Sequence, residues 1–289
     1  MYLDSLTLFA LFVGAILLGK FFKFKVPDFL FKSIVMVLVF TISFWASASG
    51  LATLLQSIAT SLAILVLIVA SLIVLGYLLD AKSTHTLPVK PESRVDPLLI
   101  ASIAAGWLTG LWWGQTPPQI IGEIITLEVY LVVGVTGFAV SNLISLDTVK
   151  RGGITALKAV LLSLTSALTA GALASYILQI APGIALGIVL GLGWYSFAGP
   201  FIAQIYGPSW GFTAFLVNVL REQLTFIIVP LIRKPFIPMV SLGGATTMDN
   251  TLPVYTYVYG EEASIVSIIH GLILTLSIPF LEGIIASLG

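Results

Sequence analysis

The sequence contains at least seven apolar stretches of about 18 residues or more, each long enough to cross the hydrocarbon core of a bilayer as a helix. In lipid, every backbone N–H and C=O group must find its partner inside the protein, so stretches of this length fold as α-helices. Hydrophobic residues make up 58% of the chain and charged residues 9%. These features predict an all-α polytopic membrane protein and exclude the soluble fold classes.

We expect eight full crossings and two apolar stretches that glycine and proline interrupt. The interrupted stretches are residues 182–207 and 235–260, and we predict that both are broken or re-entrant. Residues 1–180 then form an amino-terminal six-helix region, and residues 181–289 form a carboxy-terminal region with broken helices that carries the substrate site. The eight crossings are predicted near residues 3–20, 30–52, 57–79, 97–114, 119–142, 153–179, 209–232 and 262–287.

The basic residues fall on alternate loops. Loops near residues 56, 115 and 179 carry none, whereas the loops after the first, third and fifth spans hold Lys20, Lys23, Lys25, Lys32, Lys82, Lys90, Arg94, Lys150 and Arg151. By the positive-inside rule the basic loops are cytoplasmic, so the amino terminus lies outside. Arg233 and Lys234 fit this pattern only if residues 182–207 enter and leave on the same side or cross twice. The carboxyl terminus is then outside as well.

The first six spans resemble a duplication at an offset of about 92 residues. Phe12 to Gly19 is similar to Ala104 to Gly110, and the next span of each half ends in small residues, at Ala46 to Gly50 and at Phe138 to Asn142. Two copies of a three-span unit have opposite orientations in the membrane, which is a common plan for secondary transporters. We therefore predict an inverted repeat.

Arg221 and Glu222 lie within the apolar stretch Gly211 to Ile232. A charged side chain at bilayer depth costs about 3 kcal/mol on insertion scales, so the pair indicates a functional site beside a hydrated cavity. A structural ion pair between helices is the alternative, although burying ions seldom adds stability. Asn218 precedes Glu222 by one helical turn and is predicted to orient it. Arg221 points about 100° away from Glu222, and we expect it to pair with a carboxylate elsewhere, such as Asp249.

Two motifs interrupt the carboxy-terminal helices, GLGWYSFAGP at 191–200 and GGATTMDNTLP at 243–253. Broken helices expose backbone groups, which membrane proteins tolerate only where the backbone is buried in protein or lines a wet site. Both breaks are therefore predicted to supply ligands. The candidate substrate-binding and proton-binding residues are Trp194, Tyr195, Ser196, Asn218, Arg221, Glu222, Thr246, Thr247, Asp249, Thr251, His270 and Glu128.

Several of these residues have a second interpretation. Asp249 could cap a short helix in a surface loop, and Trp194 and Tyr195 could anchor a helix at the membrane interface. His270 could be a hydrogen-bonded packing residue rather than a proton relay. Glu128 lies about 15 Å along its helix from Pro118 and could line the exit path.

The two motifs, together with NVLRE at 218–222 and the later His270-Gly271, resemble the LysO-type lysine exporter family in order and spacing. The resemblance implies a cytoplasmic-membrane protein that exports L-lysine by antiport with protons, with both termini outside and without a cofactor. Thr247 stands where many members carry serine, and this keeps the hydroxyl. The second span, Phe31 to Leu54, has no acidic residue, whereas family members carry one near its end. If that carboxylate binds substrate or protons in the family, this departure implies a different substrate or coupling here.

A lysine site needs anions for the ammonium groups and donors for the carboxylate. Glu222 and Asp249 supply the anions. Donors for the carboxylate are helix amino-terminal amides at the breaks, together with Arg221, Ser196, Thr246, Thr247 and Thr251. Moving a cation out against the membrane potential costs about 2.3 kcal/mol per 100 mV. Burial disfavours the charged form of a carboxylate, so we expect Glu222 first and Asp249 second to exchange a proton for the ammonium.

Other function classes are less compatible with the sequence. A sodium or polyamine/proton antiporter would use the same buried acids and broken helices, and it stays open as the alternative. The chain has no cysteine and only two histidines, and His85 is interpreted as a bystander in the connector from Asp80 to Asp96. Without GxSxG or HExxH we expect no enzyme, and without a basic face we expect no nucleic-acid partner. The expected partners are L-lysine, protons and the lipid bilayer, and a homo-oligomer is compatible with the sequence.

Overall fold

A computed structural model describes residues 5–23, 26–79, 96–113, 118–141 and 146–288, which are predominantly helical. The six helices of the amino-terminal region are α1 (Ser5–Phe22), α2 (Asp28–Ser47), α3 (Gly50–Leu79), α4 (Pro97–Trp113), α5 (Pro118–Ser141) and α6 (Leu146–Leu178). The carboxy-terminal helices are α7 (Pro182–Leu190), α8 (Tyr195–Tyr206), α9 (Pro208–Ile232), α10 (Phe236–Gly243), α11 (Leu252–Tyr259) and α12 (Glu261–Leu288), with a short 3-10 helix at Gly244–Met248 between α10 and α11.

The predicted class of all-α polytopic membrane protein is confirmed. Six of these helices, α2, α3, α5, α6, α9 and α12, are long and apolar enough to cross a bilayer. Helices α1 and α4 are apolar and slightly shorter, so each of the eight expected crossings corresponds to one helix. His85 and the basic residues Lys25, Lys82, Lys90 and Arg94 lie outside the described residues.

The first interrupted stretch folds as a helical hairpin. Helices α7 and α8 are joined by a tip at residues 191–194. Gly191 packs against Ala198, and Gly187, one turn earlier, packs against Ile202, one turn later. This pairing runs in opposite directions along the two helices, so α7 and α8 are antiparallel. The predicted break is confirmed, and the stretch begins and ends at the same end of the hairpin.

The second interrupted stretch has the same shape. Tyr255 of α11 donates a hydrogen bond to the carbonyl of Met239 in α10 over 2.8 Å. Four residues later, Tyr259 donates to the carbonyl of Arg233 over 2.7 Å. The two contacts again pair later residues of one arm with earlier residues of the other, so α10 and α11 are antiparallel. We call α7–α8 the first hairpin and α10–α11 the second hairpin.

Each hairpin is followed by a long helix, and the two units are built alike. Gly207 has φ of +94° and begins the turn into α9, and Gly260 has φ of +88° and begins the turn into α12. A side chain is strained at such φ values, so glycine suits both turns. Helix α9 packs against α3, and α12 packs against α6. The turn from each hairpin into its long helix is therefore made by a glycine at the equivalent position of the two units.

The hairpins determine where the basic residues lie. If each long helix crosses once and each hairpin returns to its starting side, the segments after α1, α3, α5 and α9 all lie on one face. That face, which we call the basic face, includes Lys20, Lys32, Arg233 and Lys234. Both ends of the described chain then lie at the opposite face. That the basic face is cytoplasmic stays a prediction of the positive-inside rule.

The packing of the first six helices has the pattern expected of the predicted repeat. Helix α1 packs mainly against α5, and α2 packs mainly against α4. The two proposed repeat units are helices α1 to α3 and helices α4 to α6. Exchanging the units converts the contact of α1 with α5 into the contact of α4 with α2. Helices α2 and α5, and likewise α3 and α6, are equivalent helices that contact each other. The inverted repeat itself, and the division at residue 180, stay predictions.

The hairpin topology predicts cysteine accessibility, for which the cysteine-free chain is a clean background. We expect single cysteines at Ala181 and Ser209 to react with a membrane-impermeant maleimide from the same side of the membrane, because both lie at the base of the first hairpin. A cysteine at Lys234 should react only from the other side. Labelling of intact cells and of inverted vesicles measures this, and reaction of the Ala181 and Ser209 variants from opposite sides would contradict a returning hairpin.

Candidate functional site

Glu222 and Asp249 face one cavity of about 450 Å³. Glu222 comes from the middle of α9, and Asp249 comes from the tip of the second hairpin, directly after the 3-10 helix. The cavity extends from these acids towards Asp28, Lys32 and Asp96 at the beginnings of α2 and α4. Its mouth is therefore on the basic face. Its walls also include Phe31, Val35, Thr136, Val140, Tyr195, Gln223, Phe226 and Asn250.

Amide side chains, and not cations, surround the two acids. Asn250 donates to one oxygen of Glu222 over 3.1 Å, and Gln223 donates to the other over 3.3 Å. Asp249 accepts the backbone N–H of Asn250 over 2.6 Å. Neither acid has an ion-pair partner within the described ranges. Two acids without a paired base at the inner end of a cavity favour a bound cation or proton.

The predicted orientation of Glu222 by Asn218 is wrong. The amide of Asn218 accepts the backbone N–H of Gly193 over 2.7 Å and donates to the carbonyls of Ile188 and Ala214 over 3.0 and 2.9 Å. All three bonds are buried, and two of them go to the first hairpin. Asn218 therefore satisfies hydrogen-bonding groups of the unwound backbone of that hairpin. Asn250, and not Asn218, is the amide that binds Glu222.

The predicted pairing of Arg221 with Asp249 is also wrong. Arg221 is 1% exposed and donates from Nε to the carbonyl of Leu242 over 2.8 Å and from Nη2 to that of Ser241 over 2.7 Å. These carbonyls end α10, where the helix dipole leaves a partial negative charge that a cation offsets. The third nitrogen, Nη1, is buried without a hydrogen-bond partner. Arg221 thus binds the backbone of the second hairpin next to its tip and does not line the cavity.

The tips of the two hairpins meet through their backbones. The carbonyl of Leu192 accepts the N–H of Ala245 over 2.8 Å. Gly193 and Gly244 flank this bond, with φ of +94° and +63°. A Cβ on Gly244 would overlap the Leu192 carbonyl oxygen, so only glycine allows the backbones to approach this closely.

The start of α8 lies beside the acids. A smaller cavity of about 30 Å³ is lined by Trp194, Tyr195, Ser196, Thr246 and Asp249. It shares Tyr195 and Asp249 with the larger cavity. Because α8 begins at Tyr195, its positively polarised amino terminus faces the smaller cavity. The arrangement places the positively polarised end of a helix next to two carboxylates.

Trp194 and Tyr195 pack inside the protein. Trp194 is 7% exposed and stacks on Phe197 with ring centroids 5.0 Å apart. Tyr195 is 9% exposed and contacts Phe215 edge-on at 5.8 Å. The interpretation as a lipid-facing interfacial anchor is therefore wrong, since both rings line the wall of the site at the break.

The hydroxyls of the second tip serve mainly the turn itself. Thr246 donates to the carbonyl of Gly243 over 2.9 Å and lies 3.3 Å from the hydroxyl of Thr251. Thr247 contacts the carbonyls of Gly244 and Ser267. Among these hydroxyls, that of Thr246 belongs to a residue of the smaller cavity. Thr247 and Thr251 therefore hold the turn.

His270 is fully buried and bonded through both ring nitrogens. Nε2 lies 2.9 Å from the hydroxyl of Ser163 in α6, and Nδ1 lies 2.9 Å from the hydroxyl of Thr247. The next residue, Gly271, lies against the backbone N–H of Met248. His270 thus connects α6 and α12 to the second tip, and this geometry matches the packing interpretation.

Glu128 lies apart from both cavities. Its carboxylate accepts the hydroxyl of Thr41 over 2.8 Å between α5 and α2, and its second oxygen is buried without a partner. Of the candidate residues, the structure therefore brings Glu222, Asp249, Tyr195, Trp194, Ser196 and Thr246 to the cavities. It places Asn218, Arg221, Thr247, Thr251 and His270 in the supporting layer behind them.

The sequence analysis missed the mouth of the cavity. Lys32 and Asp96 form an ion pair of 2.6 Å with both side chains partly exposed. Partial burial would raise the pKa of Asp96, but hydrogen bonds from Lys32 and from the Leu98 amide outweigh it and lower the pKa below its ordinary value. Exposed pairs of this kind are worth about 0–1 kcal/mol, so an incoming cation can separate them. Both residues belong to loop ends in the sequence, which concealed their proximity to the site.

The described residues hold no group of three or more His, Asp or Glu side chains that could bind a metal ion. The ligands available at the site are carboxylates, amides, a helix amino terminus and aromatic rings. This set is suited to an organic cation that also carries an anionic group.

Comparisons with known proteins found a matching family and similar proteins. The family described as "Lysine exporter LysO" matches residues 100–286, which is more than half of the chain and includes both hairpins. The lysine exporter LysO of Escherichia coli (strain K12) is 36% identical over 133 residues, 46% of this chain and 43% of that protein. A putative lysine exporter of Haemophilus influenzae is 27% identical over 184 residues, 63% of this chain and 92% of that protein.

The match to the Escherichia coli protein thus spans less than half of that relative's length. No solved structure matches the chain.

The contact between the tips predicts a specific glycine requirement. We expect Gly244→Ala to lower the thermal stability of the purified protein, because the new Cβ would displace the Leu192 carbonyl and strand a buried N–H group, at a cost of about 1–3 kcal/mol. The matched control is Gly14→Ala in α1, where a Cβ meets open space. That variant should be neutral or slightly stabilising. Equal melting temperatures for the two variants would contradict the tip contact.

Proposed function

We propose that this chain, which belongs to the lysine exporter LysO family, carries L-lysine out of the cell across the cytoplasmic membrane in exchange for protons. The observation that carries the proposal is the shared cavity of Glu222 and Asp249 at the meeting point of two broken hairpins. Its volume of about 450 Å³ is within the usual range of roughly 300–1,000 Å³ for small-molecule sites.

The ligands of the cavity correspond to the groups of lysine. The two acids provide negative charge for an ammonium group, and the amide of Asn250 provides an oxygen acceptor beside them. The positively polarised start of α8 lies at the neighbouring cavity, where Ser196 adds a hydroxyl. We propose that the lysine carboxylate binds at this helix end, since the positive end of the helix dipole favours an anion there. Arg221 acts indirectly, by holding the second tip in place.

Proton exchange follows from the charge balance. Two acids without a paired base are favourable only when they hold a proton or a cation, because an unpaired buried ion is costly. We propose that Glu222 is the main exchange group and Asp249 the second. Each gives up its proton as the substrate ammonium binds on the cytoplasmic side, and each takes up a proton after the substrate leaves outside.

The cavity opens at the basic face. The positive-inside rule places that face in the cytoplasm, so we assign this conformation to the state that accepts substrate from inside. The ion pair of Lys32 and Asp96 lies at the mouth, and we propose that the incoming cation separates it on the way to Glu222. Both termini then lie outside.

A sodium or polyamine/proton antiporter would use the same acids, and competition experiments separate it from a lysine exporter. Membership of an exporter family favours a transporter over an enzyme. The name of that family, lysine exporter LysO, favours lysine over the other cations.

Counterflow of labelled lysine in proteoliposomes under an imposed pH gradient tests the proposal. We expect the wild type to take up labelled lysine, and arginine, ornithine and thialysine to compete with it to the extent that they bind the site. Glu222→Gln should lower lysine uptake by roughly tenfold to a hundredfold, since a hydrogen bond to a charged group is worth about 1.5–3 kcal/mol. Asp249→Asn should lower uptake as well.

Glu262→Gln is the control, because it removes an exposed acid near the start of α12. Lysine–proton exchange that survives Glu222→Gln would refute the assigned role of this residue. A protein that transports sodium or a polyamine in exchange for protons and does not transport lysine would contradict the proposed substrate.

A further inference from the structure

Besides Glu128, another buried acid lies outside the site described above. Glu282 of α12 has no solvent exposure, and neither of its carboxyl oxygens has a hydrogen-bond partner. It lines neither of the two cavities. Buried polar groups nearly always have partners, so a carboxyl group with two orphaned oxygens requires an explanation.

Glu282 lies on the far side of the hairpin tips from the cavity mouth. Gly271 of the same helix contacts the second tip, and Glu282 follows it by eleven residues, which is about 16 Å along the axis. Helix α12 runs from the basic face to the opposite face. Glu282 is therefore in the half of the molecule that this conformation closes.

The first hairpin covers Glu282. A Cβ on Gly187 of α7 would lie 3.3 Å from a carboxyl oxygen of Glu282, so a glycine leaves room for the acid. Tyr206, at the end of α8, is the titratable group whose phenol interacts electrostatically with Glu282, and its hydroxyl is likewise buried without a partner. Helices α1 and α6 also pack against α12. Their described titratable groups are Lys20 and Lys158 towards the basic face and Tyr176, which is 79% exposed.

The surroundings accommodate a proton and not an organic cation. An ionised Glu282 would have no partner within the described structure, so the neutral acid is the form that fits here. Neither of the two cavities described above reaches it. The orphaned oxygens and the orphaned phenol are groups that would bind water or each other once the hairpin moved.

We propose that Glu282 is a third proton-binding carboxyl group of the transport cycle, in addition to Glu222 and Asp249, and that it is protonated and closed off in this conformation and opened to the opposite face in the next one. The proposal rests on the proton exchange proposed above. The first hairpin provides the link between the two sites, because Leu192 at its tip bonds the second hairpin and Gly187, about one turn away, covers Glu282. A movement of this hairpin changes both contacts.

The test compares two transport modes of the full chain in proteoliposomes. Lysine–lysine counterflow at equal pH needs no net proton movement. Lysine accumulation that a pH gradient drives does need it. We expect Glu282→Gln to leave counterflow unchanged and to lower gradient-driven accumulation by about tenfold, a usual size for coupling between sites. Glu262→Gln, an exposed acid on the same helix, should leave both modes unchanged.

The outcomes separate this proposal from the proposed function. Gradient-driven accumulation by Glu282→Gln at the wild-type level overturns the role of Glu282 and leaves lysine–proton exchange intact. A wild type that ignores the pH gradient overturns proton exchange itself. Loss of both modes in a folded Glu282→Gln protein assigns the residue to substrate movement and overturns a role limited to protons.

Infrared spectroscopy of the purified protein gives a readout that does not depend on transport. We expect the wild type and Glu262→Gln to show the C=O band of a protonated carboxyl group that is absent in Glu282→Gln. If that variant does not fold, Glu282→Asp keeps the carboxyl group and should shift the band. A spectrum that neither Glu282 variant changes would overturn the proposal.

Discussion

The structure of this protein depends on one hydrogen bond between two unwound segments, from the N–H of Ala245 to the carbonyl of Leu192. Unwound backbone at bilayer depth must be satisfied by the protein itself, since lipid offers no partners. The chain meets this requirement from the same helix, α9, on both sides. Asn218 binds the backbone of the first hairpin, and Arg221 binds the carbonyls that end α10.

This use of Arg221 determines the charge of the site. Because the guanidinium of Arg221 binds two backbone carbonyls, it forms no ion pair with the carboxylate of Glu222 or of Asp249. Glu222 and Asp249 are consequently left with amide neighbours and an open cavity. The negative character of the cavity is thus a result of how the hairpins are held, and it suits the cationic substrate that the family description indicates.

Much of the fold was predictable because apolar length and the positions of glycine and proline are properties of the local sequence. The eight spans and both breaks follow from them. The partners of Asn218 and Arg221 were not predictable, because they depend on how the hairpins meet in three dimensions. Helical spacing placed Asn218 beside Glu222, yet buried backbone groups competed for its amide. Glu282 was missed because a single acid near the end of a span resembles an ordinary interfacial residue in the sequence.

The glycines at the hairpin tips also affect how the molecule can move. Gly193, Gly244 and Gly271 bring backbone against backbone, so the junction has few interlocking side chains to repack. Displacing one hairpin past the other therefore requires exchanging a few hydrogen bonds at the tips, whereas the aromatic rings of the first hairpin also contact Phe12 of α1 and Phe215 of α9. In the proposed transport cycle, a junction of this kind would stay closed while its hydrogen bonds hold and would rearrange by exchanging them.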